Sequence, residues 1–243
     1  MQQNKKVVVV TGANKGIGFE LARQLGQKGM AVLLGARNPK LGEEAANRLS
    51  SEGLEVHFLK IDLTDHATAK SAADHIETSY GRLDVLVNDA GITWLGDGLP
   101  SVSTPEAIQR TFETNVVGTV AVTQALLPLI RKSPSGRIVN VSSGLASLTL
   151  SGDPGWGYAV HKYLGYAASK AALNMFTVQL AWEVRETPIK VNSADPGYTA
   201  TDLNGNRGTQ TVEEAVVEPL RLALLDDNGP TGGFFDKNGA QPW

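Results

Sequence analysis

No stretch of this chain constrains its fold more than KVVVVTGANKGIGFELARQLG, residues 6–26. Four successive valines leave no polar face, so a strand here is buried on both sides, as in a parallel sheet covered by helices. The strand runs straight into Gly12, Gly16 and Gly18 and then into a helix-like segment. Glycines at such a turn permit a tight bend and a close backbone approach, and the unpaired N–H groups at the helix start suit a pyrophosphate. The spacing is Gly-x-x-x-Gly-x-Gly rather than G-x-G-x-x-G, and glycines also occur in such turns for structural reasons alone.

The same alternation continues along the chain. KVVVVT, MAVLLGA, EVHFLKID, RLDVLVN, GRIVNVS, IKVNSAD and TGGFFD read as strands, with six helical stretches between them. This predicts an α/β fold: a single doubly wound Rossmann-type domain over 1–243, with a seven-stranded parallel sheet flanked by helices on both faces. Its dinucleotide-binding half is expected at about 1–91 and its catalytic and substrate half at about 92–243. Thr104 followed by Pro105 marks a helix start. The least patterned stretches, 92–104, 144–157 and 197–211, all follow strands, where open α/β sheets bind ligands. The last of them, rich in glycine and polar residues, reads as a mobile flap.

Composition excludes several classes of function. A net charge of -3 with no run of Lys or Arg gives nothing to attract nucleic acid or an anionic membrane. The amino-terminal valines are too few for a signal peptide and no later apolar run reads as membrane-spanning, so the expected location is cytoplasmic. With no cysteine there is no disulfide, thiol nucleophile or thiolate zinc site, and His57, His66, His75 and His161 lack metal-binding spacing, so no metal is expected.

Cofactor choice is readable after strand two, in LLGARNP. An NAD-specific site commonly places a carboxylate there, but Glu43 and Glu44 lie too far along. Arg37 at the strand end and Lys15 in the glycine turn are instead two cations able to meet on a 2'-phosphate, which favours NADP; the alternative is two solvated surface charges. Asp62 fits either an adenine contact or the N-cap of the next helix.

Tyr-x-x-x-Lys occurs twice, as Tyr158/Lys162 and Tyr166/Lys170. Four residues apart on a helix, each lysine would stand beside its phenol. From Tyr166 to Glu186 no Gly or Pro intervenes, which predicts one long helix, whereas Tyr158 to Leu164 is bounded by Gly157 and Gly165 and preceded by Asp153-Pro154-Gly155. The rigid second pair is the better catalytic candidate, with Tyr158 a possible wall of the substrate pocket.

In order along the chain, the glycine turn, NDAG at 88–91, TNVVG around Asn115, NVSS at 140–143, YAASK at 166–170 and PGYTAT at 196–201 resemble the short-chain dehydrogenase/reductases over nearly the whole length. Ala-Arg after strand two and the terminal GPTGGFFDKNG are similar to the carbonyl-reductase-like branch, which includes the plant menthone- and salutaridine-reductase-like enzymes. The resemblance implies a catalytic tetrad of Asn115, Ser143, Tyr166 and Lys170. It implies a cofactor site of Gly12, Asn14, Lys15, Gly16, Ile17, Gly18, Arg37, Asp62, Leu63, Asn88, Ala90 and Gly91, with Tyr166, Lys170, Pro196, Gly197, Thr199 and Thr201. Trp94, Leu145, Trp156, Tyr198 and Leu203 lie past strand ends and are candidates for the substrate pocket or, equally, for the core.

The implied activity is NADPH-dependent reduction of a small-molecule ketone or aldehyde, reversible as an alcohol dehydrogenase. Tyr166 would donate the proton, Ser143 would orient the carbonyl, and a lysine charge about 4 Å away would lower the phenol by up to about three pH units. Alternatives are a β-ketoacyl carrier-protein reductase, whose basic docking patch is not seen, and a non-catalytic NADP-binding sensor with a protein partner, which the intact tetrad argues against. Two departures from the family stand out. Residue 89 is Asp where the family usually has Asn, and Ser143 and Tyr166 are unusually far apart, which points to an insertion before Tyr166. That insertion would obstruct the helix pairing by which many relatives assemble, so a monomer is expected.

Overall fold

The computed structural model describes residues 5–243. The first half is three β-α repeats: β1 (Val7–Val10), α1 (Gly16–Gln27), β2 (Ala31–Ala36), α2 (Pro39–Ser51), β3 (Val56–Lys60) and α3 (His66–Tyr80). Then follow β4 (Val85–Asn88), α4 (Pro105–Phe112), α5 (Thr119–Ile130), β5 (Arg137–Val141), the short α6 (Leu148–Gly152), α7 (Leu164–Glu183) and β6 (Lys190–Ala194). The chain closes with α8 (Val212–Ala215), α9 (Val217–Ala223), β7 (Phe234–Asp236) and β8 (Gly239–Ala240).

The valine run divides as a doubly covered strand must. Val8 and Val10 pack with Leu21, Leu25 and Val32 on one face of the sheet. Val7 and Val9 pack with Ile76, Leu126 and Ile130 on the other. The sheet runs β3-β2-β1-β4-β5-β6-β7-β8, so the chain steps outward from β1 in one direction and from β4 in the other. A crevice therefore opens past the carboxyl ends of β1 and β4, where the strand order reverses.

Eight strands form the sheet rather than the expected seven. The added β8 is antiparallel to β7, pairing Phe235 with Ala240 and Asp236 with Gly239. The hairpin is closed by the Asn238 N–H on Asp236 Oδ1 at 2.7 Å. Two residues are too few to show periodicity, so β8 leaves no strand signal in the sequence.

Local signals set the helix boundaries. Thr104 Oγ1 accepts from Ala107 N at 3.1 Å, with Pro105 in the first turn as expected. Before α3 the N-cap is Asp65, whose carboxylate accepts from Ala67 N at 3.2 Å. Asp62 is thus not the cap; its Oδ1 accepts instead from Thr64 N at 3.0 Å and from the Thr64 hydroxyl at 2.8 Å. Helices α4 and α5 are joined through a π-helical turn, Glu113–Gly118, into one 26-residue helix, Pro105–Ile130. By length and composition it could cross a bilayer, contrary to the expectation that no apolar run is long enough, but its apolar residues Val122, Leu126, Leu129 and Ile130 pack in the core.

Candidate active site

The crevice at the β1–β4 switch point is a cleft of about 600 Å³. Gly12, Asn14, Lys15, Gly16, Ile17 and Arg37 line it from the glycine turn and the end of β2, and Asp62, Leu63, Ala90 and Gly91 from beyond β3 and β4. Gly12 is required here, because it has φ 68° and a Cβ would come within 2.8 Å of Ala90 Cα. The Thr11 hydroxyl oxygen accepts from the N–H groups of Asp89 and Ala90, both at 3.1 Å, and so fastens the two strand ends together. Gly18 starts the close packing of α1, where a Cβ would meet Asp89 Oδ2 at 2.7 Å. Pro196 and Thr201 close the far side of the cleft.

Four expected cofactor residues, Gly18, Asn88, Gly197 and Thr199, do not line the cleft, and Lys15 lines it with its charge already engaged. Asn88 is buried beneath the cleft, where its Nδ2 donates to Asn140 Oδ1 at 2.8 Å and Thr123 Oγ1 at 3.0 Å, so it ties β4 to β5 and α5 and does not line the cleft. Lys15 lines the cleft, but its ammonium is paired with Asp202 at 2.7 Å, across the mouth. Arg37 lines the cleft from an exposed position.

The four residues expected as a tetrad lie near one another where the cleft adjoins a second cavity: Tyr166 lines both, Ser143 the second, and Lys170 and Asn115 both approach Gly91. Lys170, buried on α7, donates to the Val141 carbonyl at 2.7 Å, and its Nζ lies 5.8 Å from the centre of the Tyr166 ring. Ser143 lines the cavity beside Tyr166, and its Oγ accepts the Leu145 N–H at 3.3 Å. Asn115 sits in the π turn, its Nδ2 donating to the Ile92 carbonyl at 2.9 Å and to Ser169 Oγ at 3.0 Å. A wide turn at this point re-aims one side chain without ending the helix, a frequent use of π geometry.

The other Tyr/Lys pair is not a pair in space. Residues 153–163 form turns rather than helix, and Lys162 Nζ donates to the Ser151 carbonyl at 2.8 Å. Tyr158 instead walls a second cavity of about 250 Å³ beside Tyr166, with Leu145, Trp156, Tyr198 and Leu203 as expected, and with Gly197 and Thr199. Trp94 is not part of it; its indole is exposed, with the Arg110 guanidinium 5.8 Å over it. The segment 197–211 is exposed for much of its length yet internally bonded, through the helical turn Asp202–Asn204 and Asn204 Nδ2 on the Thr199 carbonyl at 2.8 Å.

Residues 6–212 match the family described as short chain dehydrogenase. The chain belongs to this family. Carbonyl reductase (NADPH) 1 of Mus musculus is 34% identical over 283 residues, with 100% of both chains covered. The solved structure of salutaridine reductase from Papaver somniferum has a TM-score of 0.83 at 31% identity, covering 95% of this chain and 99% of that one. A short chain dehydrogenase of Escherichia coli complexed with NADPH has a TM-score of 0.80 at 32% identity, covering 96% of each chain.

For this short-chain dehydrogenase, the charges at the site depart from the sequence expectation. Burial pushes the Tyr166 phenol above its ordinary value, and the fields of Asp195 and Asp89 push the same way, while the Ser143 hydrogen bond opposes them. The neighbouring Lys170, whose ammonium donates to the Val141 carbonyl, does not reverse the shift. Burial also brings Lys170 down to about 8, against the raising field of Asp89.

Asp89, the residue that replaces the family's usual Asn, is pushed up to about 7 by burial, although Lys170 and the Gly18 N–H pull it down. Its folded value lies above its ordinary one, so the stability it contributes is present in acid and is lost as pH rises from about 4 through about 7. Asp89→Asn is therefore expected to raise the melting temperature relative to wild type more at pH 8 than at pH 5. An equal shift at both values, read by scanning calorimetry, would refute the buried ionisation.

Sequence reasoning missed two carboxylates. Asp97, in the loop after β4, accepts from the Gly165 N–H at 2.8 Å and the Tyr166 N–H at 2.9 Å, and so caps α7 from outside it. A Gly-Asp-Gly triplet in a loop carries no signal of a partner 68 residues away. Asp195 faces the second cavity beside Pro196; its place before the PGYTAT stretch was the only available hint.

Proposed function

We propose that the chain reduces a ketone or aldehyde with NADPH, reversibly, with Tyr166 as the proton donor. The observation that carries this reading is that Tyr166 lines both cavities, the long cleft at the glycine turn and the aromatic pocket beside it. A group at that junction is within reach of a carbonyl in the pocket and of a nicotinamide in the cleft.

The cleft suits a dinucleotide. Gly12 and Gly16 take positive φ and keep the backbone low at the amino terminus of α1, where unpaired N–H groups would hold the pyrophosphate. Arg37 and Lys15 would hold the 2'-phosphate, Lys15 exchanging its contact with Asp202 for the phosphate. Bound NADPH supplies the hydride that reduces the carbonyl carbon. A raised phenol keeps its proton at neutral pH, and an alkoxide forming at the carbonyl oxygen is basic enough to take it. Ser143 orients the oxygen by a second hydrogen bond, as stabilisation of a developing charge requires. Lys170, held in place by the Val141 carbonyl, offers its positive charge to the phenolate left behind. Asn115 fixes the Ile92 loop against α7.

Both names with NADPH among the relatives, the mouse carbonyl reductase and the E. coli complex, support the cofactor. We hold the monomer as the expected state: the stretch 150–165, which carries the expected insertion, leads into Tyr166, and Trp182 on α7, although exposed, is covered by the Arg185 guanidinium at 3.9 Å. Turnover of a panel of ketones and aldehydes with NADPH and NADH tests the activity. Arg37→Asp should lower kcat/KM with NADPH by about 10- to 100-fold, in line with loss of a charge-assisted phosphate contact, and leave NADH use nearly unchanged. Equal losses with both cofactors would remove the phosphate assignment.

A further inference from the structure

Apart from the four convergent residues, one carboxylate faces the substrate pocket. Asp195 stands just past the carboxyl end of β6, and its Oδ1 accepts the Gly197 N–H at 2.9 Å. Its Oδ2 lies against Gly144: a Cβ at that glycine would be 2.9 Å from the carboxylate and 3.0 Å from the Trp156 ring. Carboxylate and indole therefore approach each other across a position that only glycine leaves open.

Four rings cluster in the same wall: Trp156, Tyr158, His161 and Tyr198. Trp156 meets Tyr158 edge to face at 5.6 Å, and Tyr198 lies 6.0 Å from Tyr158 and 5.6 Å from His161, centre to centre. Burial holds the Asp195 carboxyl above its usual range and the field of Asp236 pushes the same way, while the Gly197 and Gly144 N–H groups pull it down. On the side away from the pocket Asp195 shares a small cavity with Glu214, Glu218, Asp236 and Lys237, three acids to one cation. Arg207, the arginine of this wall, is exposed and donates through Nε to the Asn204 carbonyl at 2.9 Å. A carboxylate set among rings and facing more acids than cations is costly, and a bound cation offsets that cost where a neutral group does not. Aromatic faces add attraction for an ammonium and none for an anion.

We propose that the substrate is a carbonyl compound that also carries a protonated amine, with the ammonium against Asp195 and the Trp156 and Tyr158 rings while the carbonyl faces Tyr166 and Ser143. This rests on the carbonyl-reductase reading of the same site. The occupant differs from a hydroxy ketone, which would bring a hydrogen bond to Asp195 but no charge.

The test compares N-methyl-4-piperidone with its neutral isostere 4-methylcyclohexanone and with 4-hydroxycyclohexanone, each reduced with NADPH at pH 7. The amine is expected to have a kcat/KM about tenfold or more above both neutral ketones, as for a partly desolvated charge pair. That ratio should fall toward one in Asp195→Asn; the ratio cancels any effect of the change on Tyr166 itself. Trp156→Leu provides a second variant with the same expected direction should the first fail to fold. A wild-type ratio at or below one, a hydroxy ketone equal to the amine, or a ratio unchanged in a folded variant overturns the proposal. If none of the three is reduced, the reductase reading fails separately, and calorimetry on the NADPH-bound protein still decides the ammonium site. N-methyl-4-piperidinol should then bind about tenfold tighter than 4-methylcyclohexanol, and equal binding overturns the proposal.

Discussion

Tyr166→Phe should lower turnover by about 10²- to 10⁴-fold while NADPH still binds, since it deletes one hydroxyl that acts as general acid and leaves the ring in place. Tyr158→Phe, the same chemical change eight residues earlier, should mainly alter KM. The difference follows from where each lysine points. Lys170 is buried with its ammonium 5.8 Å from the centre of the Tyr166 ring, while Lys162 is exposed and donates to the Ser151 carbonyl. The first phenol comes under the influence of the Ser143 hydroxyl, which opposes its upward shift, whereas the second packs edge to face on Trp156. Steady-state rates with a reduced ketone, and NADPH affinity by fluorescence titration, separate the two effects. A large loss of turnover in Tyr158→Phe with little in Tyr166→Phe, both folded, would exchange their roles.

The second large effect is expected from Asp97→Ala, which touches none of the reacting groups. Helix α7 has Tyr163 at its N-cap and no side-chain cap of its own. Its first N–H groups are satisfied by the loop after β4 instead: Leu164 N on the Gly98 carbonyl at 2.9 Å, and Gly165 and Tyr166 N on the two oxygens of Asp97. The carboxylate is itself steadied by the Gly98 N–H at 2.9 Å and the Ser103 hydroxyl at 3.2 Å. Removing it strands two helix N–H groups and frees the loop. Hydrogen bonds to a charged acceptor are worth about 1.5–3 kcal/mol each, so a loss of a few kcal/mol is expected, read as a fall in Tm of about 2–4 °C per kcal/mol.

Tyr166 is in the first turn of that helix, and misplacement of a reacting group by about 1 Å can cost about 100-fold. The expected kcat is therefore about 10- to 100-fold lower at a temperature where the variant remains folded, with NADPH affinity retained. Asp97→Asn, which keeps an acceptor oxygen, should recover part of the rate. A variant with a lower Tm but unchanged kcat would reduce Asp97 to a stabilising cap.

The covered valine strand, the glycine turn and the alternation of strands with helices were legible in the sequence because each rests on neighbours within one element. Thr104 with Pro105 capped α4 as its composition says, and the absence of Gly and Pro after Tyr166 let α7 run unbroken from Leu164 to Glu183. That Tyr166 and not Tyr158 lies in the long helix was also a local matter, set by the glycines and proline around Tyr158.

What the sequence could not decide concerns contacts between elements. Asn88 looks like a cleft residue in the motif, but it points into the sheet because Asn140 and Thr123 wait there to bond it. The raised phenol is another case: four residues of spacing set a lysine near a tyrosine, while burial and two distant carboxylates determine the sign of the shift. Asp65 rather than Asp62 caps α3, and two residues at the end of the chain add β8. Asp97 and Asp195 carry no periodic signal at all. Hydrogen bonds and desolvation act through space between segments far apart along the chain, so only the packed sheet and its loops could bring a cap to α7 and a carboxylate to the pocket.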